Sequence, residues 1–264
     1  MRRLHLFEFE DLPWFPTAVR ACMTDFLGFM GNLSYAALPY RGFASRLCAA
    51  LNSTGDDTIV DLCSGSGGPA LTIARLIDAE RGSPVRVMLT DLYPNLPRLE
   101  QLRDEAGQNV DFSREPVNAT SVPESLTGFR LVCNGFHHLP PEQARACLQD
   151  AVDKRQGIAV AELVDRSALS VLTVTVGISA ELAVTPFIRP FSPGRLVLTY
   201  LLPIVPLCTL WDGIVSCLRA YDPAELRELV AGLPDNDYAW DIGRLPVPGV
   251  PVSVTYLIGR PPPQ

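Results

Sequence analysis

Short β-branched and apolar runs alternate with helical patterns between residues 58 and 164, and this alternation limits the fold more than any other feature of the sequence. The run TIVDLC (58–63) is followed by ALTIARLID (70–78), whose apolar residues recur at helical spacing. Strands that alternate with helices form a parallel sheet with helices on both faces. The pattern predicts strands at 58–63, 85–94, near 116, 129–136 and 157–164, and helices at 70–78, 96–106 and 140–154.

The alternation breaks from about Arg166 to Arg219 and then resumes. The segment YDPAELRELVAGL (221–233) predicts a helix that Asp222 caps and Pro223 begins. Two further strands follow and bring the sheet to about seven, mostly parallel, strands. These strands are YAWDIGRL (238–245) and VSVTYLIGR (252–260).

The regions outside the alternation are expected to complete one domain. Residues 15–30 and 41–52 predict two helices packed over the sheet. With 47% hydrophobic and 19% charged residues, a chain of 264 residues can bury one large core. We therefore divide it into an N-terminal helical cover (1–54), a Rossmann-like core (55–165), an apolar insertion after strand five (166–220) and a C-terminal helix with strands that complete the sheet (221–264).

Charge and cysteine usage exclude several classes of partner. The net charge is −7 and Lys and Arg form no cluster, so we expect no nucleic acid partner. Seven cysteines are scattered without a C-x-x-C pair, which is typical of reduced thiols in a cytoplasmic protein. His137 and His138 are adjacent rather than at ligand spacing, so we predict no metal site.

The insertion is the most apolar part of the chain. Its uncharged runs, 167–180 and 196–211, fall short of the roughly 18 residues that a membrane-spanning helix needs, and the second contains Pro203 and Pro206. We therefore predict no spanning segment, while contact with a membrane surface stays open. An apolar cover also suits an apolar small-molecule substrate. A dimer contact is an alternative role, so a monomer and a homodimer both remain open.

A glycine-rich turn, DLCSGSGGPA (61–70), follows the first strand. It satisfies the G-x-G-x-x-G/A pattern that binds the pyrophosphate of NAD(P). Two neighbours argue against an anion. Asp61 places a carboxylate at the end of the strand, and Pro69 removes a backbone N–H from the helix start. A ligand with an ammonium and a sulfonium, as in S-adenosylmethionine, would instead be attracted to the acid.

The stretches IVDLCSGSGG, TDLYPN, PVNATSVP and LVCNGFHHLPPEQA resemble class I S-adenosylmethionine-dependent methyltransferases of the small-molecule type, over about residues 55–165. The resemblance implies a Rossmann-like sheet and S-adenosylmethionine as cofactor. It also implies contacts from two regions. The methionine part would lie against Asp61, Ser64, Gly65, Ser66, Gly67 and Asn134, while Asp91 would bind the ribose and Leu92, Asn118 and Ala119 the adenine.

Two positions depart from the family pattern. Cys63 stands where the first glycine of the motif is usual, so a side chain must fit close to the cofactor. Asn118 replaces the commoner Asp, and its carbonyl oxygen can accept from the adenine amino group. Upstream, Tyr35, Tyr40 and Arg41 belong to a loop that could close on the methionine carboxylate.

Methyl transfer needs an acceptor held in line with the sulfonium methyl, and a general base only where the acceptor carries a proton. His137 and His138 follow strand four, at the edge where open α/β sheets bind ligands. Being adjacent, they are expected to point in different directions. Asp212 follows an apolar run, which raises a carboxyl pKa; a helix cap or a salt bridge with Arg219 is the alternative. Glu162 ends strand five and could be a structural hydrogen-bonding group.

The sequence therefore predicts methyl transfer to an apolar small molecule, such as a lipid, isoprenoid, polyketide or aromatic compound. Two other functions stay open. The literal glycine pattern fits an NAD(P)-dependent oxidoreductase. A protein that binds S-adenosylmethionine without catalysis is the second, because the sequence singles out no one general base and its insertion is apolar.

Overall fold

The computed structural model describes residues 2–31, 37–65, 67–234, 237–250 and 252–262. The chain forms two compact units. The insertion unit consists of Met1–Leu33 and Val164–Ala220, and the sheet unit consists of Ser34–Leu163 and Tyr221–Gln264. These units divide the N-terminal 54 residues differently from the four sequence segments, because the first helix groups with the insertion and the second with the sheet.

The sheet unit contains a seven-stranded sheet of order β3-β2-β1-β4-β5-β7-β6. Strands β1 to β5 run parallel to one another, whereas β7 pairs antiparallel with both β5 and β6. This arrangement confirms the predicted fold class. The strands are β1 (Thr58–Leu62), β2 (Arg86–Leu89), β3 (Val110–Phe112), β4 (Phe129–Cys133), β5 (Ile158–Glu162), β6 (Ala239–Pro246) and β7 (Ser253–Arg260).

The third strand lies at Val110–Phe112, so its predicted position near residue 116 was wrong. Within the observed strand, Val110 and Phe112 are buried and Asp111 is exposed, as expected for a half-buried strand. Position 116 is a proline, which has no N–H for a strand ladder. The two buried residues were too short a pattern to stand out in the sequence.

The helices predicted at 70–78, 96–106, 140–154 and 221–233 are confirmed, with small differences at their ends. Asp222 begins the last of these with a capping box, since its side chain accepts from the Glu225 N–H and Glu225 accepts from the Asp222 N–H. The helices are α1 (Thr17–Gly31), α2 (Arg41–Thr54), α3 (Gly68–Arg81), α4 (Leu96–Ala106), α5 (Pro141–Asp153), α6 (Ala168–Val184), α7 (Pro193–Leu196), α8 (Ile204–Arg219) and α9 (Pro223–Ala231).

Helices cover both faces of the sheet because neighbouring strand residues point to opposite sides. Ile59 belongs to a core cluster with Phe43 and Leu47 of α2. Val60, the next residue, belongs to a second cluster with Leu148 of α5 and residues of α9. The prediction that α2 packs over the sheet unit is confirmed by its contacts with α3 and β7.

The insertion unit is helical, with α6 packed on α8 and α1 on α8. A helical stretch of 20 residues, Ala168–Phe187, is long and apolar enough to cross a membrane by length and composition, a test that core helices of soluble proteins also pass. Pro193–Leu201 and Ile204–Arg219 pass it together but meet at a bend of 73°. The sequence prediction counted only uncharged residues and stopped at Glu181. The helix continues through Glu181, so the uncharged run is shorter than the helix that contains it.

Candidate functional site

The glycine turn and two acidic residues lie together at the carboxyl ends of β1 and β2. Asp61 pairs in register with Leu89 of the neighbouring parallel strand, so both strands end at the same edge. The turn after β1 and Asp91 after β2 therefore meet there. Sequence reasoning expected this edge to bind the ligand, as is general for open α/β sheets.

Asp91 holds the glycine turn in place. Its Oδ2 accepts from the Gly65 N–H at 2.8 Å, and its Oδ1 accepts from the Tyr93 N–H at 2.8 Å. Each carboxylate oxygen keeps a second lone pair for a ligand hydroxyl. The sequence predicted Asp91 as a ribose ligand but offered no signal that it also shapes the turn.

Asp61 is a buried carboxyl group, 2% exposed. Burial, with a smaller contribution from the nearby charge of Asp91, raises the pKa of Asp61 to about 8. The neutral acid therefore dominates at pH 7 in the free protein. A cationic ligand at this position would favour the ionised form.

Ser64 joins the ends of the two strands. Its hydroxyl donates to the Asp61 carbonyl at 3.1 Å and accepts from the Thr90 N–H at 3.0 Å. Its own N–H donates to the Thr90 carbonyl at 2.9 Å. Ser64 is thus engaged in shaping the edge where the ligand is expected. Ser66, the other serine expected to line the turn, lies outside the described residues.

Gly65 and Gly67 have φ values of +51° and +71°, a conformation that side chains strongly disfavour. A Cβ on Gly67 would also lie 2.6 Å from Leu102 Cδ1. Gly68, the next residue, begins α3 with ordinary φ and with open space where a Cβ would lie. The turn therefore requires glycine at 65 and 67 but not at 68.

We predict that Gly67→Ala lowers the free energy of unfolding by about 1 to 2 kcal/mol from the backbone alone, plus the cost of displacing Leu102. Gly68→Ala is the matched control and should lower stability less, because Gly68 has an ordinary φ and only its neighbour Pro69 restricts a side chain there. Urea unfolding followed by circular dichroism measures both. Equal stability of the two variants would contradict the assigned conformation.

Cys63 occupies the position where the family usually has glycine, and it takes a left-handed φ of +64°. Room for its side chain comes from Gly135, since a Cβ there would lie 3.0 Å from Cys63 Cβ. The pair reverses the usual arrangement, because the glycine lies on the loop after β4 instead of after β1. The departure that the sequence raised is thus accommodated locally.

The residues expected to contact adenine differ in exposure. Leu92 is 45% exposed, as a side chain that covers a ring face must be in the free protein, and Ala119 is buried. Asn118 is exposed, but its Oδ1 already accepts from the Thr120 N–H and hydroxyl, each at 2.9 Å. The oxygen that we expected to accept from adenine is therefore engaged in a turn, which leaves the Nδ2 group as the donor for a ring nitrogen.

Asn134 connects three segments of the sheet unit. It takes a left-handed φ of +53°, its Nδ2 donates to the Tyr40 hydroxyl at 2.7 Å, and its Oδ1 accepts from the Leu163 N–H at 2.9 Å. The structure thus brings together two residues, Asn134 and Tyr40, that the sequence proposed separately. Arg41 begins α2, and Tyr35 lies outside the described residues.

His137 and Glu162 form a buried pair at the carboxyl ends of β4 and β5. Glu162 Oε2 lies 2.7 Å from His137 Nδ1, and Oε1 accepts from the N–H groups of Phe136 and His137 at 2.7 and 3.2 Å. Because an ionised Glu162 only accepts, it places the imidazole proton on Nδ1 and leaves Nε2 as the basic nitrogen. The sequence gave no sign of this pairing across 25 residues.

His138 lies beside His137 rather than pointing elsewhere. Both belong to a 3-10 turn, and their ring centroids are 4.4 Å apart. The prediction that adjacent positions would send the two rings in different directions was therefore wrong. The tight turn after β4 keeps the two rings next to each other, tilted by 31°.

Asp212 lies in the middle of α8, in the insertion unit. Its Oδ1 and Oδ2 accept from the N–H groups of Phe9 and Glu10 at 2.7 and 3.1 Å. Burial raises the pKa of Asp212 to about 6, as the sequence predicted. The suggested salt bridge with Arg219 is replaced by another, since Arg219 pairs with Asp11 at 2.6 Å and with Glu8 at 3.3 Å. Asp212 thus anchors the N-terminal segment to α8.

No family model and no curated protein match the sequence. Among solved structures, the plantazolicin methyltransferase BpumL in complex with SAH aligns with a TM-score of 0.57 and 9% identity, over 92% of this chain and 95% of that one. A SAM-dependent methyltransferase from Aquifex aeolicus aligns with a TM-score of 0.47 and 13% identity, over 87% and 94%.

The mitomycin 7-O-methyltransferase MmcR aligns with a TM-score of 0.46 and 14% identity over 84% of this chain, which spans 54% of the length of MmcR. At sequence identities this low, structural likeness is evidence for the fold alone. That evidence comes from the alignment with BpumL. The strand order and the antiparallel β7 agree with that likeness. The chain resembles class I S-adenosylmethionine-dependent methyltransferases and has their fold.

Proposed function

We propose that this chain is an enzyme that transfers a methyl group from S-adenosylmethionine to an apolar small molecule. The observation that carries the proposal is the buried carboxyl of Asp61 beside a glycine turn that Asp91 holds. A pyrophosphate would hold Asp61 in its neutral form and gain no attraction from it. An ammonium and a sulfonium would favour the ionised carboxylate of Asp61 and be attracted to it, more strongly because water is largely excluded there.

The residues around the turn fit the parts of the cofactor. Asp61 would attract the positively charged methionine part, with Gly65 and Gly67 giving the backbone room to approach it. Asp91 would accept from the ribose hydroxyls through its remaining lone pairs. Leu92 would cover one face of the adenine, and Asn118 would donate to a ring nitrogen. Ser64, Ser66, Ala119 and Asn134 complete the proposed cofactor site.

The cofactor supplies an activated methyl group, and the chain must hold the acceptor in line with it. For an acceptor with an acidic proton, we assign the general base to Nε2 of His137, because Glu162 fixes its tautomer. His138 and Asp212 are the alternative bases. Asp212 is the weaker one because both of its oxygens already accept backbone hydrogen bonds.

The substrate class rests on the apolar composition of residues 166–220, which favours a lipid, isoprenoid, polyketide or aromatic acceptor. The compartment rests on the cysteines. All seven are unpaired, and reduced thiols suit the cytoplasm.

Thermal-shift titration tests the cofactor. We expect S-adenosylhomocysteine at about 100 times its dissociation constant to stabilise the chain by about 2.7 kcal/mol, or roughly 5 to 10 °C in Tm, and NADH to have no effect. The reverse result would support an oxidoreductase and reject the proposal. If the cofactor binds, mass spectrometry should then detect acceptors that have gained one methyl group. Binding without such a product in any extract would favour a protein that only binds the cofactor.

A further inference from the structure

The helical stretch Ala168–Phe187 is apolar around its whole circumference, yet only 11% of it is buried. Leu172 and Val176, one turn apart on the same side, are 57% and 59% exposed. A helix that is apolar on every side belongs in a protein core or in a lipid environment. Because this helix is mostly exposed, its apolar side chains are not buried in a protein core.

A second exposed apolar segment belongs to the same unit. It runs from Val197 to Leu207 and includes a short π-helix and the start of α8. Leu201 is 74% exposed and Leu207 is 63% exposed. The two segments are neighbours, since the Tyr200 hydroxyl donates to the Leu182 carbonyl, and exposed apolar side chains grouped in this way mark a contact surface. We call the two exposed segments, 168–187 and 197–207, the apolar surface.

Three exposed hydroxyls of the apolar surface donate within the protein, while two buried atoms of the same segments, Glu181 Oε2 and Thr199 Oγ1, have no hydrogen-bond partner. The hydroxyls of Thr173 and Thr175 donate to the carbonyls of Leu169 and Val171 at 2.9 and 2.8 Å. The Tyr200 hydroxyl donates to the carbonyl of Leu182. A surface for water or for a protein partner gains from outward-facing donors, whereas a surface that meets hydrocarbon is favoured when its exposed hydroxyls are bonded within the protein, as these three are.

The exposed residues of this surface are also uncharged. Glu181 is the one charged residue within its two segments. It is buried, and its Oε1 accepts from the Thr209 hydroxyl at 3.2 Å. Burial raises the pKa of Glu181 to about 7, so the neutral form is readily populated. The insertion unit as a whole carries seven basic and seven acidic residues, so it is neutral while the sheet unit holds the chain's negative charge.

We propose that the insertion unit docks on a lipid bilayer, with the apolar surface buried at the boundary of headgroups and acyl chains. Apolar burial drives this docking, and charge contributes little, because the unit is neutral and its surface is free of exposed charge. The proposal is independent of methyl transfer, since it concerns the insertion unit and needs no cofactor.

Flotation of the purified chain with vesicles of neutral phosphatidylcholine tests the proposal. We expect the wild-type chain to float with the vesicles, equally at low and at high salt, because screening weakens charge attraction and leaves apolar burial intact. In vesicles of brominated phosphatidylcholine, the fluorescence of Trp211 should be quenched, since it is 38% exposed and lies one turn after Leu207 on α8. A wild-type chain that stays with the soluble fraction would overturn the proposal.

Leu172→Glu and Val176→Glu should each weaken vesicle partitioning by about tenfold or more. Val250→Glu is the matched control, because Val250 is also exposed, at 48%, but lies in the sheet unit. It should partition like the wild type. Circular dichroism melting shows whether each variant folds, and the quenching of the wild-type chain stands if one does not.

Sedimentation equilibrium distinguishes the bilayer from a second copy of the chain. A concentration-dependent wild-type dimer that Leu172→Glu converts to a monomer, without vesicle binding by either, would identify the surface as a dimer interface and overturn the proposal. Vesicle binding that high salt abolishes would likewise overturn it, since docking would then depend on charge. Salt-independent binding that the two substitutions remove supports it.

Discussion

Binding of S-adenosylmethionine at pH 7 is expected to release close to one proton, and Asp61→Asn is expected to abolish that release. Burial raises the pKa of Asp61 to about 8, so most free molecules carry the neutral acid at pH 7. A sulfonium and an ammonium beside the carboxyl favour its ionised form. Binding therefore expels the proton, and affinity should rise with pH until about pH 8.

The same shift has a consequence for stability. The folded pKa of Asp61 lies above its ordinary value of 3.8, so the folded chain binds the proton more tightly than the unfolded one. The stability that this group contributes is therefore present at low pH and is lost as pH rises from about 4 to about 8. Asp61→Asn should remove this part of the pH dependence of Tm in the free protein.

Calorimetric titration in buffers with different ionisation enthalpies measures the proton release. Asp61→Asn should also weaken cofactor binding by about 10- to 100-fold, because a charge-assisted contact is lost. Asp57→Asn is the matched control, since Asp57 lies just before β1 and is paired with Arg86 in solvent. It should behave like the wild type. Cofactor binding without proton release, or unchanged affinity in Asp61→Asn, would contradict the role assigned to Asp61.

The second large effect concerns the His137–Glu162 pair. His137→Ala should lower kcat by about 10²- to 10⁴-fold for an acceptor that must lose a proton, while the dissociation constant of the cofactor changes little. Glu162→Gln should lower kcat as well, because a glutamine amide that donates to Nδ1 shifts the imidazole proton to Nε2. Glu162 is thus a positioning residue, and its substitution should alter the pH profile of kcat.

Asp212→Asn provides the contrasting variant. Because Asp212 anchors the Phe9 and Glu10 N–H groups, this substitution should lower Tm and leave kcat unchanged. Steady-state kinetics with melting curves for the three variants separates the roles. If Asp212→Asn loses kcat while His137→Ala stays fully active, Asp212 and not His137 is the general base.

Much of the sheet unit could be predicted because its local patterns are strong. The alternation of strands and helices, the Asp222 cap and the glycine turn each depend on residues that are close in the sequence. The position of the third strand was predicted wrongly because the strand has three residues, two of them buried, and this pattern is too short to recognise. The uncharged run 167–180 did not reveal the extent of α6, because a buried charged residue, Glu181, ends the run without ending the helix.

By itself the sequence determined the class of fold and the positions of the glycine turn and its acids, because backbone preference and apolar periodicity are local properties. The tertiary structure alone decided which polar groups meet: Asp91 with Gly65, Glu162 with His137 and Asn134 with Tyr40. These partners lie 26, 25 and 94 residues apart. A pattern of residues states which face of a strand is buried, whereas the pairing of distant side chains depends on strand order and on the turns between strands.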